Sequence, residues 1–201
     1  MLQKTYDKIR NLFQGGTGYL RTTELLSAGI TTLQLRQLVD DGSLEHVTHG
    51  IYWWKADHRP KPKNYKYLEL QMANPNSVIC MESALYLLGF LKKEPSDIRV
   101  ATSRTDRSRM HMNFPIRRHY FAERSIREYV QQVETPAGPV SVYSIDRSVV
   151  DCIRLRNSID PELFQKILTT YKKKKDKNPD VFYAYANDMG LQRVAAECLS
   201  R

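Results

Sequence analysis

The sequence predicts an α+β fold made of two successive units. Three observations predict it. Short helical periods punctuated by glycine fill the first forty-odd residues, an alternating hairpin pattern follows, and the rest mixes strand-like and helix-like runs without strict alternation. With 201 residues, 41% hydrophobic and 26% charged, the chain has enough material for a packed core and lacks the composition of a disordered one.

Residues 2–13 set Tyr6, Ile9, Leu12 and Phe13 at helical spacing, and the run Gly15-Gly16-Thr17-Gly18 ends that helix. Thr22 or Thr23 can cap a second, short helix through Glu24-Leu25-Leu26, which stops at the turn Ala28-Gly29. Thr31 caps a third over residues 32–41, closed by Gly42. Leu44-Glu45-His46-Val47-Thr48 then alternates, His49-Gly50 can turn tightly, and Ile51-Tyr52-Trp53-Trp54 continues as a strand. Three helices followed by one hairpin is the order of a winged helix-turn-helix. The alternative is a small helical domain with an unrelated hairpin behind it.

The expected division is a DNA-binding unit over 1–57, a basic Pro/Lys linker over 58–64, and a mixed α/β domain over 65–201. Within the last, helices are expected at 65–73, 79–88, 146–156, 161–175 and 180–199, the final one broken near Gly190. Strands are expected at 98–101, 116–121 and 140–144.

The net charge of +9 favours an anionic partner, and it is unevenly placed. Residues 1–57 carry six basic and six acidic side chains, whereas 58–118 carry twelve and five. No apolar run approaches the roughly 20 residues of a membrane helix. The start, Met1-Leu2-Gln3-Lys4, has no signal-peptide pattern, and Cys80, Cys152 and Cys198 are too scattered for a disulfide framework. A cytoplasmic protein without membrane contact, metal or cofactor is expected.

In a helix-turn-helix the second motif helix enters the major groove. On residues 32–41, Leu35, Leu38 and Val39 share the core face, which turns Thr32, Leu33, Arg36 and Gln37 outward. Arg36 can pair with guanine O6 and N7, Gln37 with adenine N6 and N7, and Thr32 with a phosphate or a thymine methyl. Arg21 before the motif, His49 at the wing tip, and Arg59, Lys61 and Lys63 behind the wing are the expected backbone contacts. Asp40 and Asp41 would face phosphate unless turned away. A winged helix used for protein contact is the competing reading. Arg104, Arg107, Arg109, Arg117 and Arg118, set among serines and threonines, are candidates for further nucleic-acid contacts, to DNA or RNA; a solvated loop is the plain alternative. Arg147 and Asp151 stand four apart on one helix, where an ion pair is expected.

Three stretches together resemble AbiEi antitoxins. They are Thr22-Thr23-Glu24-Leu25-Leu26-Ser27-Ala28-Gly29-Ile30 with Leu35-Arg36-Gln37-Leu38-Val39-Asp40-Asp41-Gly42-Ser43-Leu44 and Val47-Thr48-His49-Gly50-Ile51-Tyr52; then Ile79-Cys80-Met81-Glu82-Ser83-Ala84-Leu85 with Leu88-Gly89; and Val142-Tyr143-Ser144-Ile145-Asp146-Arg147-Ser148-Val149-Val150-Asp151-Cys152-Ile153-Arg154. The resemblance implies a transcriptional repressor that binds inverted repeats in its own operon promoter. It also implies an antitoxin that opposes a nucleotidyltransferase-like toxin of a type IV abortive-infection pair without forming a stable complex. It further implies a C-terminal domain similar to nuclease-like α/β folds in degenerate form. No Asp or Glu has a lysine two positions on, so the acid-x-Lys element of a metal-dependent nuclease is missing. No phosphate-binding glycine loop occurs, no Asp-x-Asp follows Gly42-Ser43, and His111 and His119 lack a third ligand at metal spacing. No enzymatic activity is expected. An RNA- or protein-binding module, with the winged helix as scaffold, is the alternative function.

Overall fold

The computed structural model describes residues 2–200, which fall into two compact units. The first runs up to Pro75 and adds the segments Ser108–Phe114 and Glu134–Pro139. The second holds Asn76–Arg107, Pro115–Val133 and the chain from Val140 onward.

In the first unit the order is α1 (Gln3–Gln14), β1 (Tyr19–Arg21), α2 (Thr22–Ser27), α3 (Thr32–Asp40), β2 (Leu44–Thr48), β3 (Ile51–Trp54) and α4 (Tyr65–Ala73). The three strands form an antiparallel sheet in the order β1-β3-β2. This is the winged helix-turn-helix arrangement. Its core comes from the periodic positions of the helices: Ile9 and Phe13 of α1, Leu25 of α2, and Leu35 and Leu38 of α3 close on Leu44 and Trp54 of the sheet. Strand alternation sends the neighbouring residues to the other face. There Ile51 and Trp53 meet Tyr19, Val47, and Leu68 and Met72 of α4. Gly18 is required where the chain enters β1: its φ is +87°, and a Cβ would lie 2.5 Å from the Trp53 ring.

The sequence ends this unit at residue 57, but the structure carries it on to Pro75. The reason is physical. The apolar side of α4 covers the second face of the sheet. In addition, Lys61 anchors the intervening stretch through ion pairs of 2.6 Å to Glu45 on β2 and 2.6 Å to Glu69 on α4. Glu69 also accepts from the Tyr19 hydroxyl at 2.7 Å. Burial alone would lower the lysine's pKa, yet the two carboxylates raise it above the ordinary value.

From Asn76 onward the elements are β4 (Val78–Ile79), α5 (Met81–Leu87), β5 (Ile98–Ser103), β6 (Ile116–Phe121), α6 (Glu123–Ile126), β7 (Val130–Thr135), β8 (Gly138–Tyr143), α7 (Ile145–Arg154), α8 (Pro161–Lys173), α9 (Pro179–Asp188) and α10 (Gln192–Ser200), all in the second unit but for the end of β7 and the start of β8. A single 3-10 turn, Arg156–Ser158, follows α7. The five strands order as β6-β5-β4-β8-β7. β4 runs antiparallel to β5 and parallel to β8, and β5 runs parallel to β6. The reading of 79–88 as one helix is corrected here: Val78 and Ile79 form a strand at the centre of the sheet, and the helix starts at Met81. Two buried residues carry no alternation, so the strand is defined by its neighbours and not by its own pattern. β1, α6 and β7 are likewise additions to the elements expected from sequence.

α7 is the centre of this unit, with every residue from Asp146 to Ile153 buried. The expected Arg147–Asp151 pair exists, but fully inside the core. The Arg147 guanidinium lies 3.3 Å above the Tyr143 ring centre and donates to the carbonyls of Ser125, at 2.7 Å, and Glu128. Asp151 accepts from Tyr185 at 3.0 Å and faces Arg154 at 3.4 Å. Burial raises the Asp151 carboxyl above its usual range, and the two guanidiniums and the tyrosine hydroxyl oppose that rise. Glu82 makes a second buried pair with Arg99 at 2.6 Å. The two later stretches of the family resemblance are therefore mostly core in this unit, with Glu82, Arg147 and Asp151 in buried ion pairs.

Candidate nucleic-acid interface

The exposed side of α3 is set by its start and by its apolar stripe. Thr31 Oγ1 accepts from the Gln34 backbone N–H at 3.2 Å, and Gln34 Oε1 accepts from the Thr31 N–H at 2.8 Å. This reciprocal pair satisfies two of the donors that a helix start leaves open. With Leu35 and Leu38 in the core, Thr32, Leu33, Arg36 and Gln37 all point to solvent. Leu33 is 66% exposed, an apolar side chain on an otherwise polar face. The preceding turn is closed by Gly29 at φ +79° and by a bond of 3.0 Å from Ile30 N–H to the Leu25 carbonyl. The cap of α2 is placed differently from the sequence expectation. The helix begins at Thr22, Arg21 holds the cap position, and Glu24 accepts from its backbone N–H at 2.6 Å.

The two acids of α3 have separate fates. Asp41 leaves the exposed face to accept from Ser43 N–H at 2.9 Å, so it belongs to the turn. Asp40 stays beside Arg36, 4.0 Å away, and the two side chains are 69% and 82% exposed. Arg36 is loosely held and available to a ligand, because a surface pair of this kind is worth little.

His49 is exposed at the turn between β2 and β3. The adjoining Gly50 carbonyl accepts from Thr22 N–H at 2.8 Å, which ties the wing tip to the first residue of α2. Arg21 is half-buried, and its guanidinium donates to the Met72 carbonyl at the end of α4, 3.2 Å away. Arg59 and Lys63 are exposed and pair with no acid among the described residues. Lys61 is engaged with Glu45 and Glu69. The structure thus presents Thr32, Leu33, Arg36, Gln37, His49, Arg59 and Lys63 to solvent, and occupies the charges of Arg21 and Lys61 internally.

The five arginines of the second group are not all brought together. Arg104 and Arg107 on the loop after β5 share an open depression with Asp106, Arg118 and Tyr120. Arg117 points to the opposite face of β6 and pairs with Asp97 at 2.6 Å. Arg109 lies in the segment Ser108–Phe114, which belongs to the first unit. Tyr120 is the residue that sequence reading passed over. Strand alternation from Arg118 places it on the same face, and that was the available signal. His119, on the Arg117 face, is held neutral: burial, with the positive charges of Arg99, Arg154 and Arg117, lowers its pKa to about 4.

Among the described residues no group of three or more His, Cys, Asp or Glu side chains is arranged to hold a metal ion, and no helix is long and apolar enough to cross a membrane. The structure of the RV2827C protein from Mycobacterium tuberculosis is similar to this one, with a TM-score of 0.66 over 96% of this chain and 76% of that one. At 13% identity that likeness is one of fold. No curated protein matches the chain. A family model described as "Transcriptional regulator, AbiEi antitoxin" matches residues 7–52, a span that runs from α1 to the second residue of β3 and includes the whole exposed face of α3. Over residues 7–52, then, this chain is similar to AbiEi antitoxins, which that model describes as transcriptional regulators.

Proposed function

We propose that the protein is a DNA-binding autorepressor and antitoxin, acting without catalysis of its own. It sets α3 in the major groove of inverted repeats in its own promoter. The observation that carries this reading is the exposed face Thr32-Leu33-Arg36-Gln37 on the second helix of a helix-turn-helix whose opposite face is fully committed to the core. Arg36 and Gln37 supply bidentate readers for guanine and adenine, and Leu33 supplies an apolar contact for a thymine methyl. Arg59 and Lys63, together with His49 on the wing, supply phosphate contacts. Arg21 acts indirectly, by fixing the start of α2. The partner of the antitoxin activity is a nucleotidyltransferase-like toxin, opposed without a stable complex; this part rests on the family match alone.

The test is binding of the purified full chain to its promoter fragment and to a scrambled fragment of equal length, titrated across salt. Preference for the promoter that weakens steeply with salt supports the reading. Equal affinity for both fragments at every salt concentration sinks it.

A further inference from the structure

The depression on the second unit combines features that a plain solvated loop does not explain. Tyr120 is 52% exposed on β6, which is an edge strand of its sheet. Arg118, two residues before it, lies on the same face, with its guanidinium 5.1 Å from the ring centre. That arginine is itself fixed. It donates from Nε to Thr102 Oγ1 at 2.6 Å and pairs with the Asp106 carboxylate at 3.0 Å, which leaves its side chain 16% exposed. One side of the tyrosine ring is therefore backed by an immobilised cation.

Arg104 and Arg107 stand at the rim of the same depression and are exposed. Neither is in an ion pair with an acid among the described residues: Asp106 is taken by Arg118, and Glu123 accepts from the hydroxyls of Ser103 and Thr105. The Arg104 backbone is anchored by a bond of 2.9 Å from its N–H to the Phe121 carbonyl, which extends the β5–β6 ladder into the loop. Charges on an edge strand are a common defence against strand addition. That defence accounts for the arginines and not for a half-exposed aromatic ring held in a defined orientation among them. Bases stack on such rings whatever their identity, and unpaired arginines beside them take the adjoining phosphates.

We infer that Tyr120, Arg104 and Arg107 form a binding site for an unpaired nucleotide of a single-stranded nucleic acid, the base stacked on Tyr120 and its phosphates on the two arginines. This site is independent of the duplex-reading face of α3.

The experiment is fluorescence anisotropy with end-labelled ten-residue oligo(U) and oligo(dT), using the full chain and three variants: Tyr120→Ala, Tyr120→Phe, and Arg104→Ala with Arg107→Ala. Promoter duplex is titrated in parallel. Single-strand affinity should fall about ten- to a hundredfold in Tyr120→Ala and survive in Tyr120→Phe, which keeps the ring. The double arginine variant should bind more weakly and with a shallower salt dependence, because two phosphate contacts are lost. Duplex binding should be unaffected by Tyr120→Ala. Preference for oligo(U) over oligo(dT) would identify RNA as the natural strand, and equal affinity would identify a site blind to the 2′-hydroxyl. Unchanged single-strand affinity in Tyr120→Ala, or no binding of either oligonucleotide by the wild type at low salt, overturns the inference. A duplex that fails to bind while the oligonucleotides do would refute the proposed repressor function and leave this site standing.

Discussion

Both units carry the same local pattern, an arginine with an aspartate four residues on along a helix, and put it to opposite use. In α3, Arg36 and Asp40 are 4.0 Å apart and open to solvent. In α7, Arg147 and Asp151 are 3.6 Å apart with no exposure at all. The exposed pair is screened and weak, so each partner remains free to engage something else. The buried pair has lost its water, and each charge depends on the groups around it: two carbonyls and an aromatic ring for the arginine, a tyrosine and a second arginine for the aspartate. Identical spacing thus leaves an exposed pair, proposed to read bases, in one unit and makes a structural pivot in the other. Burial decides which.

The largest effect should come from breaking the buried pair. Arg147→Met leaves Asp151 in the core with only Tyr185 and the partly exposed Arg154, takes the donor from the Ser125 and Glu128 carbonyls, and should lower unfolding free energy by about 3–5 kcal/mol in denaturant titration. Arg147→Met with Asp151→Leu should recover part of that loss; a double variant less stable than the single would show that the charges are net stabilising here.

On the exposed helix the same truncation should move binding and spare the fold. Arg36→Ala should weaken promoter binding by about 1–3 kcal/mol and relax the base preference at one position, with an unchanged melting temperature. A matching fall in affinity for scrambled DNA would reassign Arg36 to phosphate contact.

A smaller loss is expected at the start of α3. Thr31→Ala removes the acceptor for Gln34 N–H and should cost about 1 kcal/mol of stability, read from the shift in denaturant midpoint.

His119 contributes a pH dependence to the second unit. Its folded pKa of about 4 lies below the unfolded value near 6.5, so between those limits the unfolded chain takes up a proton that the folded chain refuses. Its contribution is present above about pH 6.5 and is lost as pH falls toward 4. His119→Gln should flatten the acid limb of the stability profile over that window, and an unaltered limb would place the titration elsewhere. The smallest effect is expected from Asp40→Asn, which removes a carboxylate from the face of α3. Promoter affinity should rise by a few tenths of a kcal/mol up to about 1 kcal/mol, with stability changed by less than about 0.5.

What the sequence revealed follows how local each feature is. The cap at Thr31, the turn at Gly29 and the hairpin from Leu44 to Trp54 depend on residues near one another in the chain, at most ten positions apart, and the outward face of α3 follows from helical spacing alone. β4 and β1 depend on partners far along the chain. Val78 pairs with Ala101, and Tyr19 pairs with Trp53, so neither two- nor three-residue strand announces itself. The same holds for side chains in the candidate site. Lys61 reads as a free linker charge until Glu45 and Glu69 are seen beside it, and Arg117 and Arg118 read as one cluster until the strand turns them to opposite faces.

The stretch from His58 to Asn64 has no regular structure, yet it should resist a protease that seeks basic residues. Trypsin requires a residue other than proline after its lysine or arginine. Arg59 is followed by Pro60 and Lys61 by Pro62, so both bonds are closed to it, and Lys61 is also pinned between two carboxylates. Only the bond from Lys63 to Asn64 remains. Limited digestion of the native protein should therefore nick this segment there or leave it whole, and the basic run that marks it as a linker in the sequence would behave in practice as part of a folded body.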